Sequence, residues 1–169
     1  MTTLIYDNKT KTIGADTRVT FDNYVGFCTK IVFPKTNVVL ATAGDSGACE
    51  WLRYKLSVAE KIHDLYNIEP DSHPKFEELE CFIWWNGPYF VTDELCPMPI
   101  EQDYWHAGTG GAYALAYMAA GWSMEKAIEG AAKLDPNTGT PIHIVDCSLA
   151  KKKVKVYQGG LLKVEPEKT

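Results

Sequence analysis

The sequence has no segment of the kind that carries a protein to or across a membrane. Its first residues lack a basic region followed by an apolar one, so we expect no signal peptide. No apolar run approaches the roughly 18 residues that a membrane-spanning helix needs. We therefore expect a cytoplasmic protein with no membrane partner.

Basic residues are fewer than acidic residues in this sequence. The 169 residues include 17 Lys and Arg against 22 Asp and Glu, which gives a net charge of −5. Proteins that bind nucleic acid or an anionic membrane usually carry a basic surface, so both classes of partner are disfavoured. A run of three lysines at residues 151–153 lies between two β-like segments, where we expect a solvated hairpin tip.

Cysteines with the spacing of a metal site or a disulfide framework are also missing. The five cysteines are odd in number and widely separated, with no C-x-x-C, and the four histidines are equally scattered. This pattern is typical of reduced thiols in a cytosolic protein. We expect no metal and no cofactor, and no local signature favours a Cys–His enzyme.

The chain does have enough apolar sequence for one folded domain. With 46 % hydrophobic residues, a single domain covering residues 1–169 can bury a sizeable core. Apolar alternation predicts strands at 2–6, 12–18, 25–33, 38–42, 80–85, 89–92, 101–107, 141–147, 153–158 and 161–164. Helical periodicity predicts helices over 48–66, 112–120 and 124–134. Helices grouped between runs of strands indicate an α+β fold, with helices covering antiparallel sheets.

Suitable end residues flank the predicted helices. Asp45 or Ser46 can cap the first helix, and Ser123 can cap the third. Gly121 ends the second, because glycine readily adopts the left-handed conformation that closes a helix. These signals support the helical interpretation of all three segments.

Thr2 directly follows the initiator methionine. Removal of Met1 would place a hydroxyl and a free α-amine on the same residue, and an α-amine has an ordinary pKa of about 7.7–8.0. Such an amine can act as a base near neutral pH, and threonine with its own N-terminal amine is a recognised activated nucleophile. A plainer interpretation is also open, because Thr-Thr can simply begin an edge strand.

Six short segments occur in a characteristic order. They are Thr-Thr at 2–3, Gly-Ala-Asp-Thr-Arg at 14–18, Thr-Lys-Ile at 29–31, Thr-Ala-Gly at 42–44, Gly-Thr-Gly-Gly at 108–111 and Asp-Pro-Asn-Thr-Gly at 135–139. Each is weak alone, but their order and approximate spacing make the chain resemble a proteasome β-subunit and the related bacterial two-ring threonine protease. The resemblance implies the N-terminal-nucleophile hydrolase fold, a four-layer αββα sandwich with two antiparallel sheets between helix layers.

The resemblance implies a catalytic role for four residues of the first part. Thr2 would be the nucleophile, and Lys30 would lower the energy of its alkoxide. Asp16 would keep that lysine charged and oriented. The backbone N–H of Gly44, at a helix start, would bind the oxyanion. Taken singly, Asp16 can also be a turn acid paired with Arg18, and Lys30 can be an ordinary surface lysine.

Three residues of the second part would complete this site by resemblance. Thr109, Asp135 and Thr138 would form a polar shell near the α-amine, with Thr standing where the family has Ser in two of the positions. Taken singly, Thr109 can be a helix N-cap. Asp135 followed by Pro136 can be an ordinary helix stop.

The same resemblance implies how a polypeptide substrate would bind. It would lie as an added strand against Thr20 and Gly44. The matching pocket positions are Val19, Cys28 and Thr42, which are small and mostly uncharged. We therefore expect a small to medium apolar or neutral side chain before the cleaved bond.

Family members enclose their active sites inside rings, so the resemblance implies a closed homo-oligomer with stacked rings. The helices over 112–120 and 124–134 would face the opposite ring, and their exposed-side candidates are unusually apolar: Tyr113, Tyr117, Met118 and Trp122. The segment 70–79 is short and carries two prolines, so we expect the family's second helix to be missing or reduced to a turn. Because that region meets the cap or ATPase in the family, such a partner is left open.

Three functions remain open at this point. The favoured one is a threonine-type endopeptidase in a self-compartmentalising ring, activated by removal of Met1 with no propeptide. The second is a catalytically silent ring subunit that serves as scaffold or regulator, which is expected if Met1 is retained. The third is a non-peptide amidase on the same fold.

Overall fold

The structure is a computed structural model, and it describes residues 2–21, 24–67, 79–149, 154–158 and 161–165. The strands are β1 (Leu4–Asp7), β2 (Thr12–Asp16), β3 (Arg18–Phe21), β4 (Tyr24–Phe27), β5 (Ile31–Val32), β6 (Val38–Gly44), β7 (Leu79–Trp85), β8 (Pro88–Thr92), β9 (Met98–Pro99), β10 (Tyr104–Ala107), β11 (Ile142–Asp146), β12 (Val154–Gln158) and β13 (Leu161–Glu165). The helices are α1 (Ser46–Val58), α2 (Gly111–Ala119) and α3 (Met124–Leu134), with a 3-10 helix at Ile62–Asn67.

Two antiparallel sheets form the body of the described chain. The first, which we call the N-terminal sheet, has the strand order β10-β1-β2-β11-β12-β13. The second, which we call the central sheet, has the order β5-β6-β7-β8-β9, and β3 pairs with β4 as a separate hairpin. In the N-terminal sheet Leu4 lies opposite Ala15, and Ile142 lies opposite Asp16. This register brings the start of β1 beside the ends of β2 and the start of β11, where the site described below is built.

Three hydrophobic clusters hold these elements together. One contains side chains of both sheets, such as Tyr6 and Phe82, whose rings lie 4.5 Å apart, so the two sheets pack against each other. A second joins the central sheet to α1 and the 3-10 helix, through residues such as Leu52 and Ile83. The third joins the N-terminal sheet to α2 and α3, through residues such as Ile128. The predicted α+β class is therefore confirmed.

Several predicted elements are shorter in the structure, and two of them differ most. The strand predicted over 25–33 is two strands, β4 and β5, with residues 28–30 between them in irregular backbone. The helix predicted over 48–66 ends at Val58, because Ala59 is extended. The apolar stripe nevertheless continues, since Ile62 and Leu65 of the 3-10 helix pack on the same core as α1. Hydrophobic periodicity therefore indicated the buried face correctly and the helix end wrongly.

The other predictions have mixed outcomes. The helices α2 and α3 lie where expected, and Gly121 follows α2 with the positive φ of 88° that favours glycine. Ser123 stands at the N-cap of α3, but its side chain makes no capping hydrogen bond. Residues 151–153 and most of the segment 70–79 lie outside the described residues. No helix in the described part of the chain is long and apolar enough to cross a membrane.

Candidate active site

The first described residues are buried where β1 begins. The exposed fraction is 5 % for Thr2 and 0 % for Thr3. Because β1 and β2 run antiparallel, Thr3 faces Asp16, and its backbone N–H donates to Asp16 Oδ1 at 2.8 Å. The backbone of Asp16 donates in return to the carbonyl of Thr3 at 3.2 Å. The peptide bond that joins Thr2 to Thr3 is therefore fixed against a buried carboxylate.

Lys30 forms an ion pair with that carboxylate. Its Nζ lies 2.7 Å from Asp16 Oδ1, and both side chains are buried. The second oxygen, Oδ2, accepts backbone hydrogen bonds from Arg18 and Gly139, each at 3.1 Å. A buried charge is tolerated when it is paired and its remaining lone pairs are satisfied, and Asp16 meets both conditions.

Burial gives Lys30 an unusual acidity. Removal from water disfavours the charged amine and lowers its pKa below the ordinary 10.5, and the charge of Asp16 acts in the opposite direction without cancelling that effect. Asp16 therefore offsets part of the cost of burying the Lys30 ammonium group.

A second carboxylate organises the loop after α3. Asp135 Oδ2 accepts hydrogen bonds from the hydroxyls of Thr109 and Thr138, each at 2.7 Å. Its Oδ1 accepts from the backbone N–H of Asn137 at 3.0 Å. Burial alone would raise the pKa of Asp135, but these donors outweigh burial and lower it. The carboxylate therefore stays ionised and holds both hydroxyls in place.

Thr3 connects the two carboxylate groups. Its Oγ1 lies 2.5 Å from Thr138 Oγ1, while its backbone N–H is bound to Asp16. Residue 2 is fixed from the other side as well, because the backbone N–H of Gly110 donates to the carbonyl of Thr2 at 3.3 Å. Gly108, at φ 75°, packs so closely on that carbonyl that a side chain there would collide with it. Thr2 is thus held by residues from both halves of the sequence.

Gly44 lies at the edge of this network. It is the last residue of β6, exposed and at a positive φ of 104°, and α1 begins two residues later at Ser46. The expectation that Gly44 stands at the helix start itself is therefore wrong by two residues. Asp45 caps α1 by accepting from the backbone of Ala48 at 2.7 Å. Strand β6 is joined to the ion pair through Thr42, whose N–H donates to the carbonyl of Lys30 at 3.1 Å.

The predicted substrate positions flank the network. Val19 and Thr20 lie half-buried on β3, and Thr20 Oγ1 donates to Asn137 Oδ1 at 3.1 Å. Cys28 is exposed after β4, and its backbone N–H donates to the carbonyl of Thr17 at 2.8 Å. Burial raises the pKa of the Cys28 thiol, although nearby Lys30 opposes the effect. The hairpin β3–β4 is thereby tied to both carboxylate groups.

The hydrogen-bond network contains six of the seven predicted catalytic residues, which are Thr2, Asp16, Lys30, Thr109, Asp135 and Thr138. Gly44 lies on β6, two residues after Thr42, which is bonded to Lys30. Sequence reasoning missed Thr3, Gly110 and Asn137. The repeated Thr-Thr was the available signal for Thr3, and the glycine after Thr109 was the signal for Gly110.

The capping interpretation of Thr109 is wrong. Gly110 occupies the N-cap of α2 and supplies no side chain, while the Thr109 hydroxyl turns to Asp135. In the described ranges, no group of three or more His, Cys, Asp or Glu side chains is arranged to hold a metal ion.

Solved structures share this fold. Eukaryotic HslV from Trypanosoma brucei superposes with a TM-score of 0.65 at 18 % identity, covering 84 % of this chain and 97 % of that one. BPH from Thiobacillus denitrificans in complex with epoxomicin gives a TM-score of 0.66 at 16 % identity, covering 84 % of this chain and 96 % of that one. A second BPH structure gives 0.63 at 14 % identity, covering 85 % of this chain and 95 % of that one.

Sequence comparison adds nothing to this picture, because no protein-family model and no curated protein matches the chain. At such low identity the structural likeness establishes the fold alone. It confirms, at the level of the fold, the resemblance to proteasome β-subunits and their bacterial relative.

Proposed function

We propose that this protein is a threonine-type endopeptidase whose nucleophile is Thr2, exposed as the N-terminal residue by removal of Met1. The observation that carries the proposal is the buried Lys30–Asp16 ion pair, whose carboxylate also binds the backbone of Thr3. A buried lysine needs a reason to be there, since lysines are among the least buried residues. Activation of a neighbouring hydroxyl supplies that reason.

The reaction follows from these groups. The Thr2 hydroxyl attacks the carbonyl carbon of a peptide bond while its proton passes to the α-amine, whose ordinary pKa is about 7.7–8.0. Lys30 stabilises the developing alkoxide electrostatically. The C–N bond then breaks, the α-amine returns the proton to the departing amine, and an ester joins substrate to Thr2. Water, deprotonated by the same amine, hydrolyses the ester and restores the hydroxyl.

The remaining site residues orient these reactants. The Gly44 N–H would bind the negatively charged oxygen of the tetrahedral intermediate. The hydroxyls of Thr109 and Thr138, fixed by Asp135, would hold the α-amine. Gly110 fixes the Thr2 carbonyl and thereby the backbone that carries the hydroxyl. Positioning of this kind supplies a large part of the rate enhancement of enzymes.

Substrate binding and specificity belong to the same proposal. A polypeptide would pair with the backbone near Thr20 and Gly44 as an added strand. Its side chain before the cleaved bond would enter a pocket lined by Val19, Cys28 and Thr42. These walls favour a small or medium neutral group. No cofactor takes part.

The architecture and assembly complete the proposal. One domain over residues 1–169 would form the four-layer αββα sandwich, which the succession of the three hydrophobic clusters supports. Its subunits would build a homo-oligomeric, self-compartmentalising ring in the cytoplasm, with stacked rings facing through α2 and α3. A cap or ATPase partner remains open.

Intact-mass measurement with an epoxyketone peptide tests the nucleophile. Such a probe presents a ketone and a neighbouring epoxide, two electrophiles that match a hydroxyl and an amine on one residue. We expect loss of Met1 and addition of one whole probe at Thr2, located by peptide mapping. Thr2→Ala should lose both labelling and peptide hydrolysis, while Thr2→Ser, which keeps both groups, should retain them.

Other outcomes would assign a different function. Complete retention of Met1 together with no labelling would identify a silent ring subunit. Labelling of Thr2 without cleavage of any peptide in a diverse library would identify a non-peptide amidase. Unchanged hydrolysis in Thr2→Ala would overturn the assignment of the nucleophile.

A further inference from the structure

Strand β7 carries a carboxylate on the face that packs against the N-terminal sheet. The strand reads Leu-Glu-Cys-Phe-Ile-Trp-Trp over residues 79–85, and Glu80 is its only charged residue. Side chains alternate across a strand, so Glu80 shares its face with Phe82, which is buried in the cluster between the two sheets. Glu80 itself is exposed. Its carboxylate therefore lies at the rim of the core between the two sheets.

The backbone of Glu80 is fixed beside the end of β6. Leu79 pairs with Gly44, and Glu80 pairs with Ala43, so these two pairs are neighbours in the ladder. On its other side Glu80 pairs with Thr92 of β8. Because strands on both sides hold it, Glu80 has a set position relative to the Gly44 N–H.

The side chain of Glu80 reaches across to the other sheet. Its Oε2 accepts a hydrogen bond from the backbone N–H of Gly108 at 2.9 Å. Gly108 directly follows β10, the strand that pairs with β1 in the N-terminal sheet. This hydrogen bond thus joins the central sheet to the loop that follows the edge strand of the N-terminal sheet.

That loop is the one that holds Thr2. The N–H of Gly111 donates to the carbonyl of Gly108 at 3.0 Å, which closes residues 108–111 into a turn. Within the turn, the N–H of Gly110 donates to the carbonyl of Thr2 at 3.3 Å. Gly108 also packs directly on that carbonyl. A displacement of Gly108 would therefore alter the support of Thr2.

We propose that Glu80 is a positioning residue, which fixes the turn that holds Thr2 relative to the strand that carries Gly44. The inference rests on the proposed function. Thr2 precedes β1 of one sheet, whereas Gly44 ends β6 of the other. The attacking hydroxyl and the oxyanion donor must be correctly spaced for the tetrahedral intermediate to be stabilised. Glu80 acts on this spacing through Gly108 and not on the reacting atoms.

The range of its hydrogen bond distinguishes Glu80 from an ordinary solvated acid. Asp64 and Asp146 are also acidic acceptors, but their donors lie at most four positions away in the sequence. Glu80 accepts from a residue 28 positions away. A bond from a backbone N–H to a carboxylate is charge-assisted and about twice as strong as a neutral one. Such a bond can hold two sheets in register at the site.

Labelling of the full-length protein by the epoxyketone peptide tests this role. Glu80→Met keeps the length of the side chain and removes the acceptor, whereas Glu80→Gln keeps an acceptor oxygen. We expect the maximal labelling rate of the Met variant to fall on the order of tenfold, since a misplacement of about 1 Å can cost about 10²-fold. The probe concentration that gives half of that rate should not change. The Gln variant should label at close to the wild-type rate.

Hydrogen exchange of the backbone amides gives a readout that needs no activity. Exchange across residues 107–111 should be faster in Glu80→Met and unchanged in Glu80→Gln. Glu101→Met is the control, because Glu101 is exposed and precedes β10, whereas Gly108 follows it. This control should match wild type in both measurements. Glu80→Ala repeats the test without an added apolar side chain should the Met variant fail to fold.

The outcomes separate this inference from the proposed function. A wild-type protein that the probe does not label would overturn both. A labelled wild type with an equal maximal rate in Glu80→Met would overturn the inference alone, even if amide exchange became faster. Equal losses in the Gln and Met variants would show that the charge of Glu80, and not its hydrogen bond to Gly108, is what matters, and would also overturn it.

Discussion

The hydroxyl of Thr3 is a hydrogen-bond donor to the hydroxyl of Thr138. Their oxygens lie 2.5 Å apart, and the single proton of Thr138 is already directed to Asp135 Oδ2 at 2.7 Å. Thr138 can therefore only accept from Thr3. Since the Thr3 backbone also binds Asp16, one side chain and one amide connect the two carboxylates of the site. A chain of hydrogen bonds of this kind polarises each member.

Thr3→Val tests this link. Valine keeps the shape and removes the hydroxyl, so Thr138 loses its donor while its own bond to Asp135 survives. We expect the free energy of unfolding to fall by about 0.5–1.5 kcal/mol, the usual worth of one hydrogen bond. If the proposed function holds, kcat should fall with little change in KM. Thr3→Ser should restore both quantities, and equal loss in the Ser and Val variants would show that packing alone matters.

Gly110→Ala should damage the site through simple crowding. An added Cβ would collide with the hydroxyls of Thr3 and Thr138 and lie 3.0 Å from Asp135 Oδ2. We expect a destabilisation of about 1–3 kcal/mol, the range for an overpacked interior. Gly87→Ala is the matched control, because its Cβ would meet only Tyr89 at an ordinary 3.9 Å. Urea unfolding of both variants gives the comparison, and equal midpoints would contradict the expectation.

The resemblance grouped Thr2, Asp16 and Lys30, and the pairing of β1 with β2 and the Lys30–Asp16 ion pair bring these residues into one network. Their catalytic roles stay a prediction. Lys30 was expected as a partner of Asp16, but the backbone donors that bind Asp16 were not, since Gly139, for example, lies 123 positions away in the sequence. Every residue except proline has a backbone N–H, so residue type does not reveal which of these groups will donate. Because lysines are usually exposed, Lys30 taken alone was expected at the surface, whereas it is buried.

Helix α2 shows why exposure was harder to predict. Met118 was expected on the exposed side, and that is wrong, because it is buried against the N-terminal sheet with Ala114 and Ile128. The helix is composed of small and apolar residues on every side, so its sequence has no polar face to mark the surface. Tyr113 and Trp122 were predicted exposed and are.

Lys30→Met should lower kcat if the lysine acts electrostatically beside the nucleophile. Methionine has a similar length and no charge, and loss of one well-placed stabilising group costs on the order of 10²–10³ in rate. KM should change little. Lys9→Met is the control, because its pairing with Asp103 at 3.7 Å is largely exposed and such pairs contribute little. A change confined to KM would make Lys30 a binding residue.

The lowered pKa of Lys30 predicts a pH dependence of stability. Between that pKa and 10.5 the unfolded chain binds more protons than the folded one, so this group makes the free energy of unfolding rise with pH. The rise is confined to that window, because below it both states are protonated. We expect the difference between wild type and Lys30→Met to increase as pH is raised through the window. A flat difference in chemical-denaturation curves would show that the pKa is not lowered.

Trp122 provides the test of assembly. Its ring lies 4.6 Å from that of Tyr117, and the residue is 46 % exposed in the connection between α2 and α3. If this face joins stacked rings, Trp122→Glu should bury a charge in the interface and separate the rings. Tyr54→Glu, at a more exposed aromatic residue on α1, should leave the assembly intact. Native mass spectrometry of the three proteins decides the point, and a wild-type monomer at micromolar concentration would refute the compartment.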